Sequence, residues 1–282
     1  MRVAAVQCAV SFGDIDANVE RVCRWIDQAA AQGAEIVVFP ECVLTGYAFD
    51  DRESACEIAV ESGDQRLRPI LELVKAKELW VTLGTLQIID ASDRDEKNRQ
   101  VSPRLHNAAW LIGPDGLEAT YHKIHLPHLG VDRFVDRGRD GYAVSDAGGA
   151  KIGMAICYDC SFPEPMRVLG LHQADIVALG TNWPSTAART AEVVPPARSM
   201  ENHYYFIAAN RVGEENGFTF CGRSSICGPD GVVLAKASNG EELLVTEIDL
   251  ETARSKRIER TVGAHVIDRF ADRRPEFYGD IL

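Results

Sequence analysis

Lys151-Ile152-Gly153-Met154-Ala155-Ile156-Cys157-Tyr158-Asp159-Cys160-Ser161-Phe162-Pro163-Glu164 is the stretch on which the reading of this chain turns. Residues 151–156 are an apolar run of strand length, and residues 158–164 read as a turn opening a helix. Cys157 therefore stands between a strand end and a helix N-terminus. There the positive end of a helix dipole and unpaired backbone N–H groups favour a thiolate and stabilise an oxyanion beside it. Most cysteines are small buried apolar residues, and taken alone Cys157 favours that reading over catalysis.

Two further segments decide the matter. Ile36-Val37-Val38-Phe39-Pro40-Glu41 is a second buried-strand run. Proline cannot continue a central strand, so the chain turns out at Pro40 and leaves Glu41 at the strand's C-terminal end, where open α/β sheets place their ligands. In Tyr121-His122-Lys123-Ile124-His125-Leu126-Pro127, Lys123 follows a strand-like run over residues 118–122. Singly, Glu41 reads as a cap and Lys123 as a solvated lysine. Together, a carboxylate, an ammonium and a thiol at three strand ends supply a base, an electrostatic stabiliser and a nucleophile.

Strands and helices alternate along the chain, which marks an α/β fold. A helix is expected over residues 16–32, with Val19, Val22, Ile26 and Ala29 on its apolar face, Arg21, Arg24 and Gln28 opposite, and Gly33 ending it. A second helix is expected over residues 67–77, before a strand over 80–87. Residues 90–103, dense in charge and without periodicity, read as a solvated loop. A buried strand over 175–181 delivers Asn182-Trp183-Pro184 to another strand end, where Trp183 is a candidate wall for an acyl pocket. Gly113-Pro114-Asp115-Gly116 and Gly228-Pro229-Asp230-Gly231 each separate two strand-like runs, as hairpin turns do. A hairpin in each half suggests two similar α/β halves whose sheets pack face to face.

The chain has 282 residues, 46% of them hydrophobic, enough for a large single core although the usual domain is about 150 residues. A formal charge of -12 without a local basic cluster argues against nucleic-acid binding. Its apolar runs are strand-sized, so no membrane span is expected. Eight cysteines scattered through apolar and helical patterns, in a chain opening directly on a strand over residues 2–10, read as reduced thiols of a cytoplasmic protein. Cys157-Tyr158-Asp159-Cys160 also matches the C-x-x-C pattern of disulfide oxidoreductases, but that reading leaves Glu41 and Lys123 unexplained. His122, His125 and His128 suggest a metal only weakly, because Pro127 keeps them off one helical face and no carboxylate stands at zinc-site spacing. Gly213-Glu214-Glu215-Asn216-Gly217 reads as a polar turn, and Arg198 with Glu201 as structural support on a helix.

Taken in order, Ala5-Val6-Gln7, Phe39-Pro40-Glu41, Tyr121-His122-Lys123-Ile124-His125-Leu126, Ile156-Cys157-Tyr158-Asp159, Ala197-Arg198-Ser199-Met200-Glu201-Asn202 and Ala209-Asn210-Arg211-Val212-Gly213 resemble the motifs of the nitrilase superfamily of carbon–nitrogen hydrolases. The resemblance spans nearly the whole chain. It implies one domain over residues 1–282 folded as a four-layer αββα sandwich, with a catalytic triad at Glu41, Lys123 and Cys157. The expected reaction is hydrolysis of a small-molecule amide or N-carbamoyl compound through a thioester, with the Tyr158 backbone N–H completing the oxyanion site and no metal or organic cofactor. Asn182 and Trp183 are candidate substrate contacts. Tyr158-Asp159 resembles the amidase and carbamoylase branches, whereas nitrilases typically carry Trp-Glu, so nitrile hydrolysis is the alternative. A catalytically silent scaffold is a further rival, opposed by the intact triad.

The resemblance also implies at least a homodimer, with residues 254–282 as a tail at the interface. Val262, Val266, Ile267, Phe270, Phe277 and Tyr278 make that tail too sparse for a core strand and too apolar to hang free. One position departs from the family. Where relatives carry a second glutamate, the run Gly130-Val131-Asp132-Arg133-Phe134 puts Val131, so Asp132 is expected to point elsewhere, toward Arg133 or Arg137.

Overall fold

The computed structural model describes residues 1–89 and 103–281. The expected loop at 90–103 therefore lies outside the described residues except for Pro103. The first half contains β1 (Arg2–Gln7), α1 (Ile15–Ala31), β2 (Ile36–Val38), α2 (Arg52–Ile58), α3 (Arg68–Lys77), β3 (Trp80–Ile89), β4 (Arg104–Gly113) and β5 (Gly116–His122). The second contains β6 (Val144–Ala147), β7 (Ala150–Ile156), α4 (Pro163–Leu171), β8 (Ile176–Thr181), α5 (Ala188–Asn202) and β9 (Tyr205–Asn210). After these come the short strands β10 (Glu214–Glu215) and β11 (Phe218–Thr219), then β12 (Ser225–Cys227), β13 (Val233–Lys236), β14 (Glu242–Glu247), α6 (Leu250–Arg254), β15 (Arg257–Thr261) and β16 (His265–Asp268).

Two six-stranded sheets result, ordered β14-β1-β2-β3-β4-β5 and β13-β12-β9-β8-β7-β6. In each, three parallel strands form the middle, β1, β2 and β3 in one and β7, β8 and β9 in the other. Side-chain alternation then builds the layers. Val3 and Ala5 of β1 face the second sheet, in one cluster with Ile152, Met154 and Ile176, while Ala4 and Val6 face α1 and α3 in another with Val22, Ile26 and Ile70. Helices α4 and α5 cover the far side of the second sheet, with Met166 and Leu169 in its cluster. The architecture is the αββα sandwich.

Local signals act as expected. Helix α1 buries Val19, Val22, Ile26 and Ala29, is capped by the Asp14 side chain, and gives way to Gly33 at φ 76°. Both Gly-Pro-Asp-Gly segments are hairpin turns, β4 to β5 and β12 to β13, with Gly116 at φ 120° and Gly231 at φ 86°. The tail forms a β15–β16 hairpin outside both sheets. Phe270 pins it to α4, its ring lying 5.1 Å from the Arg167 guanidinium and 5.6 Å from the Lys256 ammonium. Val262, Phe277 and Ile281 are exposed.

Candidate active site

Glu41 is placed by backbone shape more than by side-chain packing. Strand β2 ends at Val38, and the Pro40–Cys42 turn beyond it packs against glycines from both sheets. A Cβ on Gly84 of β3 would stand 2.4 Å from Pro40 O and 2.7 Å from Glu41 Cα, and one on Gly180 of β8 would stand 3.0 Å from Glu41 N. Only glycine lets these strands approach so closely. The turn delivers the Glu41 carboxylate into the interior, where the residue is 1% exposed.

Lys123, one residue past β5, is fully buried and donates to Glu41 Oε1 at 2.7 Å and to Asp132 Oδ2 at 2.6 Å. Burial by itself would lower its pKa. The carboxylates of Asp132 and Glu41 together outweigh that and hold it well above the usual lysine value, so the ammonium is charged. Asn107 of β4 bridges the two acids, its Nδ2 donating to Glu41 Oε1 at 2.7 Å and Asp132 Oδ1 at 2.9 Å. The Tyr47 hydroxyl donates to Asp132 Oδ2 at 2.8 Å.

Asp132 thus corrects the expectation that it points toward Arg133 or Arg137. Residues Gly130–Arg133 form a single 3-10 turn that carries Asp132 inward, while Val131 packs with Tyr47, Phe49, Leu86 and Leu105. A Cβ on Gly130, at φ 48°, would meet the Tyr47 ring at 2.3 Å, which is how the loop comes so close to the lysine. The physical reason is charge: an ammonium removed from water is sustained by two carboxylates better than by one carboxylate and carbonyl oxygens.

Cys157 follows β7 at φ 44°, a left-handed conformation that costs a non-glycine residue about 1–3 kcal/mol, and its side chain is buried at the turn. The turn is a 3-10 helix, Cys157–Ser161, ahead of α4. In its first turn the backbone N–H of Tyr158 has no intrahelical acceptor. Contrary to the expected bias toward thiolate, burial and then the Glu41 carboxylate push the Cys157 thiol up to about 12, against the opposing pull of Lys123. A protonated thiol at rest needs a base. Glu41 has its own pKa raised, first by burial and also by Asp132, against the pull of Lys123 and Asn107. Its Oε1 is tied to Lys123 and Asn107, whereas Oε2 is buried without a partner.

The turn itself is braced from both sides. Asp159, fully buried, accepts from Ile156 N at 2.9 Å, Tyr121 OH at 2.8 Å, Tyr142 OH at 3.0 Å and His125 N at 3.1 Å, with His125 Nδ1 at 2.9 Å. Arg198 donates to Cys160 O at 2.9 Å and Ser161 O at 3.1 Å, and Glu201 holds Arg198 at 3.0 Å. Cys160 is wholly buried and its thiol pushed well up by burial, an unsuitable partner for thiol exchange. Of the three histidines, His122 pairs with Gln87, His125 serves Asp159 and His128 is exposed.

The Gly213–Gly217 segment is more than the polar turn expected of it. Glu215 is buried in an ion pair with Arg211 at 2.6 Å, and its Oε1 accepts from Tyr47 N and Ala48 N, both at 2.7 Å. It fixes the loop that brings Tyr47 to Asp132. Asn182 and Trp183 follow β8 as expected; Trp183 is buried and its backbone N–H donates to Asn210 Oδ1, and both side-chain polar atoms of Asn182 are buried and unpartnered. Asn107 and Tyr47 carry no signal without their partners, and Glu215 is indistinguishable from its neighbours in a polar turn.

The architecture is that of the nitrilase-like αββα hydrolases. An amidase from Nesterenkonia sp. AN1, solved with the product of Michael addition of acrylamide at its active site cysteine, superimposes with a TM-score of 0.80 over 100% of both chains, at 22% identity. Residues 2–258 match the carbon-nitrogen hydrolase family, and the chain belongs to it. A protein named nitrilase from Pyrococcus abyssi is 37% identical over 280 residues, 99% of each chain. An N-carbamoylputrescine amidase from Solanum tuberosum is 30% identical over 99% of this chain and 94% of its own. No helix among the described residues is long and apolar enough to cross a membrane.

Proposed function

We propose that this carbon–nitrogen hydrolase cleaves small linear amides or N-carbamoyl compounds through a thioester on Cys157, with Glu41 and Lys123 as its partners and Asp132 holding the lysine. The division of labour on Glu41 carries the reading: one oxygen is anchored and the other is buried without a partner, free to take and return a proton. As Sγ attacks the carbonyl carbon, its proton passes to Glu41. The oxyanion forms against Lys123 Nζ and the Tyr158 N–H, donors already in place. The tetrahedral adduct collapses by breaking the C–N bond, and Glu41 gives its proton to the departing ammonia or amine. Glu41 then deprotonates a water that attacks the thioester, and the thiol is restored. No metal or organic cofactor enters these steps. Asn182 and Trp183 are the substrate contacts, Asn182 through its unpartnered amide.

Tyr158-Asp159 favours amide over nitrile; the name of the Pyrococcus abyssi relative makes nitrile hydrolysis the competing reading. A panel of aliphatic amides, N-carbamoyl compounds and nitriles, read by ammonia release and intact mass, tests both. The reading expects an acyl adduct on Cys157 with amide or carbamoyl substrates. Turnover of nitriles alone would reverse the assignment, and no turnover with any class would favour a scaffold.

The same reading makes residues 1–282 one domain that assembles as a homodimer or larger through the tail over 254–282, where Val262 is 90% and Phe277 74% exposed. A monomer in light scattering at micromolar concentration would exclude this. A cytoplasmic location belongs to the same reading and is supported by the cysteines, all free among the described residues.

A further inference from the structure

Parallel pairing of β7 with β8 sets Ile156 beside Gly180, so the next residues, Cys157 and Thr181, end neighbouring strands side by side. Thr181 is fully buried and its hydroxyl has no well-formed hydrogen bond within the fold. A buried hydroxyl without a partner costs stability, and valine would fill the same volume without that cost. The fold gives this hydroxyl no structural employment.

What lies within its reach is the sulfur. The Thr181 hydroxyl and the backbone N–H of Asn182 both act on Cys157 in the direction of thiolate. The other groups facing the sulfur are Glu41 from the turn after β2, Lys123 after β5, Tyr47 from the loop beyond Glu41, and Cys160 of its own turn. Glu41 opposes the thiolate, and Tyr47 and Cys160, pushed up by burial, are neutral. Lys123 favours it, but that ammonium is shared between Glu41 and Asp132 and faces the oxyanion during attack.

We propose that Thr181 is a further catalytic residue of this chain: with the Asn182 N–H it forms a thiolate cradle, its hydroxyl rotating to donate to Sγ whenever that atom carries negative charge. The need arises twice, when the Sγ–H proton moves to Glu41 and when the thioester C–S bond breaks and the electron pair returns to sulfur. No proton leaves Thr181 in either step. The cradle supplies at the sulfur what Lys123 and Tyr158 supply at the oxygen, so the two developing charges do not compete for one ammonium. The inference rests on Cys157 being the nucleophile proposed above.

The test is alkylation of Cys157 by iodoacetamide across pH, followed by intact mass and peptide mapping, with C157A as control. Thr181→Val should react about 10- to 100-fold more slowly at neutral pH, the worth of one hydrogen bond to a charged acceptor, with its rate–pH profile displaced to higher pH. Thr181→Ala should move the same way, and Thr181→Ser, which keeps the hydroxyl, should stay within about threefold of wild type. Thermal unfolding of Thr181→Val should be unchanged or improved, because no structural hydrogen bond is lost. Wild-type alkylation of Cys157 in the valine and alanine variants, with an unmoved profile, would overturn the cradle while leaving the nucleophile intact. Alkylation that is the same in C157A as in wild type would overturn the nucleophile and the cradle together.

Discussion

Asp132→Asn removes one charge and almost no volume, and the surrounding hydrogen bonds determine its effect. Asp132 accepts from three donors: Lys123 Nζ and Tyr47 OH on Oδ2, and Asn107 Nδ2 on Oδ1. An asparagine has one acceptor oxygen, so either orientation turns its NH₂ toward a donor, and in one orientation that donor is the ammonium. Removing one partner of a buried ion pair costs about 3–5 kcal/mol. A tenfold change in rate corresponds to about 1.4 kcal/mol, so if half the loss falls on the transition state, kcat/KM drops about 10- to 100-fold. The remainder should appear as lower stability in urea unfolding. Loss of the Asp132 charge also removes one of the influences that raise the Glu41 pKa, so the acid limb of the rate–pH profile should move to lower pH. Ammonia release across pH, together with unfolding midpoints, reads all three effects. Activity and stability both within about threefold of wild type would refute the placement of Asp132 on the lysine.

The two glycines around Glu41 should differ in tolerance: Gly84→Ala drives a methyl to 2.4 Å from Pro40 O and should abolish turnover, whereas Gly180→Ala, at 3.0 Å, should leave a measurable remnant. Equal activities would mean that the turn yields more easily than its contacts indicate. Cys157→Ala should eliminate ammonia release in a folded protein, and Cys160→Ser should retain most of it; a requirement for Cys160 and stoichiometric reductant would revive the redox reading. His122, whose pKa burial and then the stacked His106 lower from 6.5 to about 4, binds protons more readily in the unfolded chain. Its contribution is therefore complete above pH 6.5 and is lost as pH falls toward 4, on the order of 3 kcal/mol. Urea unfolding at pH 7.5 and pH 4.5, both chosen to bracket most of that shift (about 2.5 pKa units), should show His122→Gln losing less than wild type, and an identical loss would exclude His122 as its source.

What the amino-acid sequence determined by itself is what depends on neighbours along the chain. The face of α1, the breaking of β2 at Pro40, the paired Gly-Pro-Asp-Gly turns and the strand-end positions of Glu41, Lys123 and Cys157 follow from period, propensity and turn chemistry, and those signals lie within a few residues of where they act. The tertiary structure decided everything that depends on charge balance in a space without water. Asp132 was expected to point toward Arg133 or Arg137 because Val131 occupied the matching position, and only a 3-10 turn packed on Tyr47 shows it as the second carboxylate of Lys123. Glu215, 168 residues from Tyr47, looked like part of a polar turn until the second half of the chain folded against the first. Likewise the thiol read as activated by its strand-to-helix position, while burial and the facing carboxylate hold it protonated. A carboxylate's partner, a lysine's compensation and a thiol's proton are set by contacts across the two sheets, and separation along the chain carries no record of them.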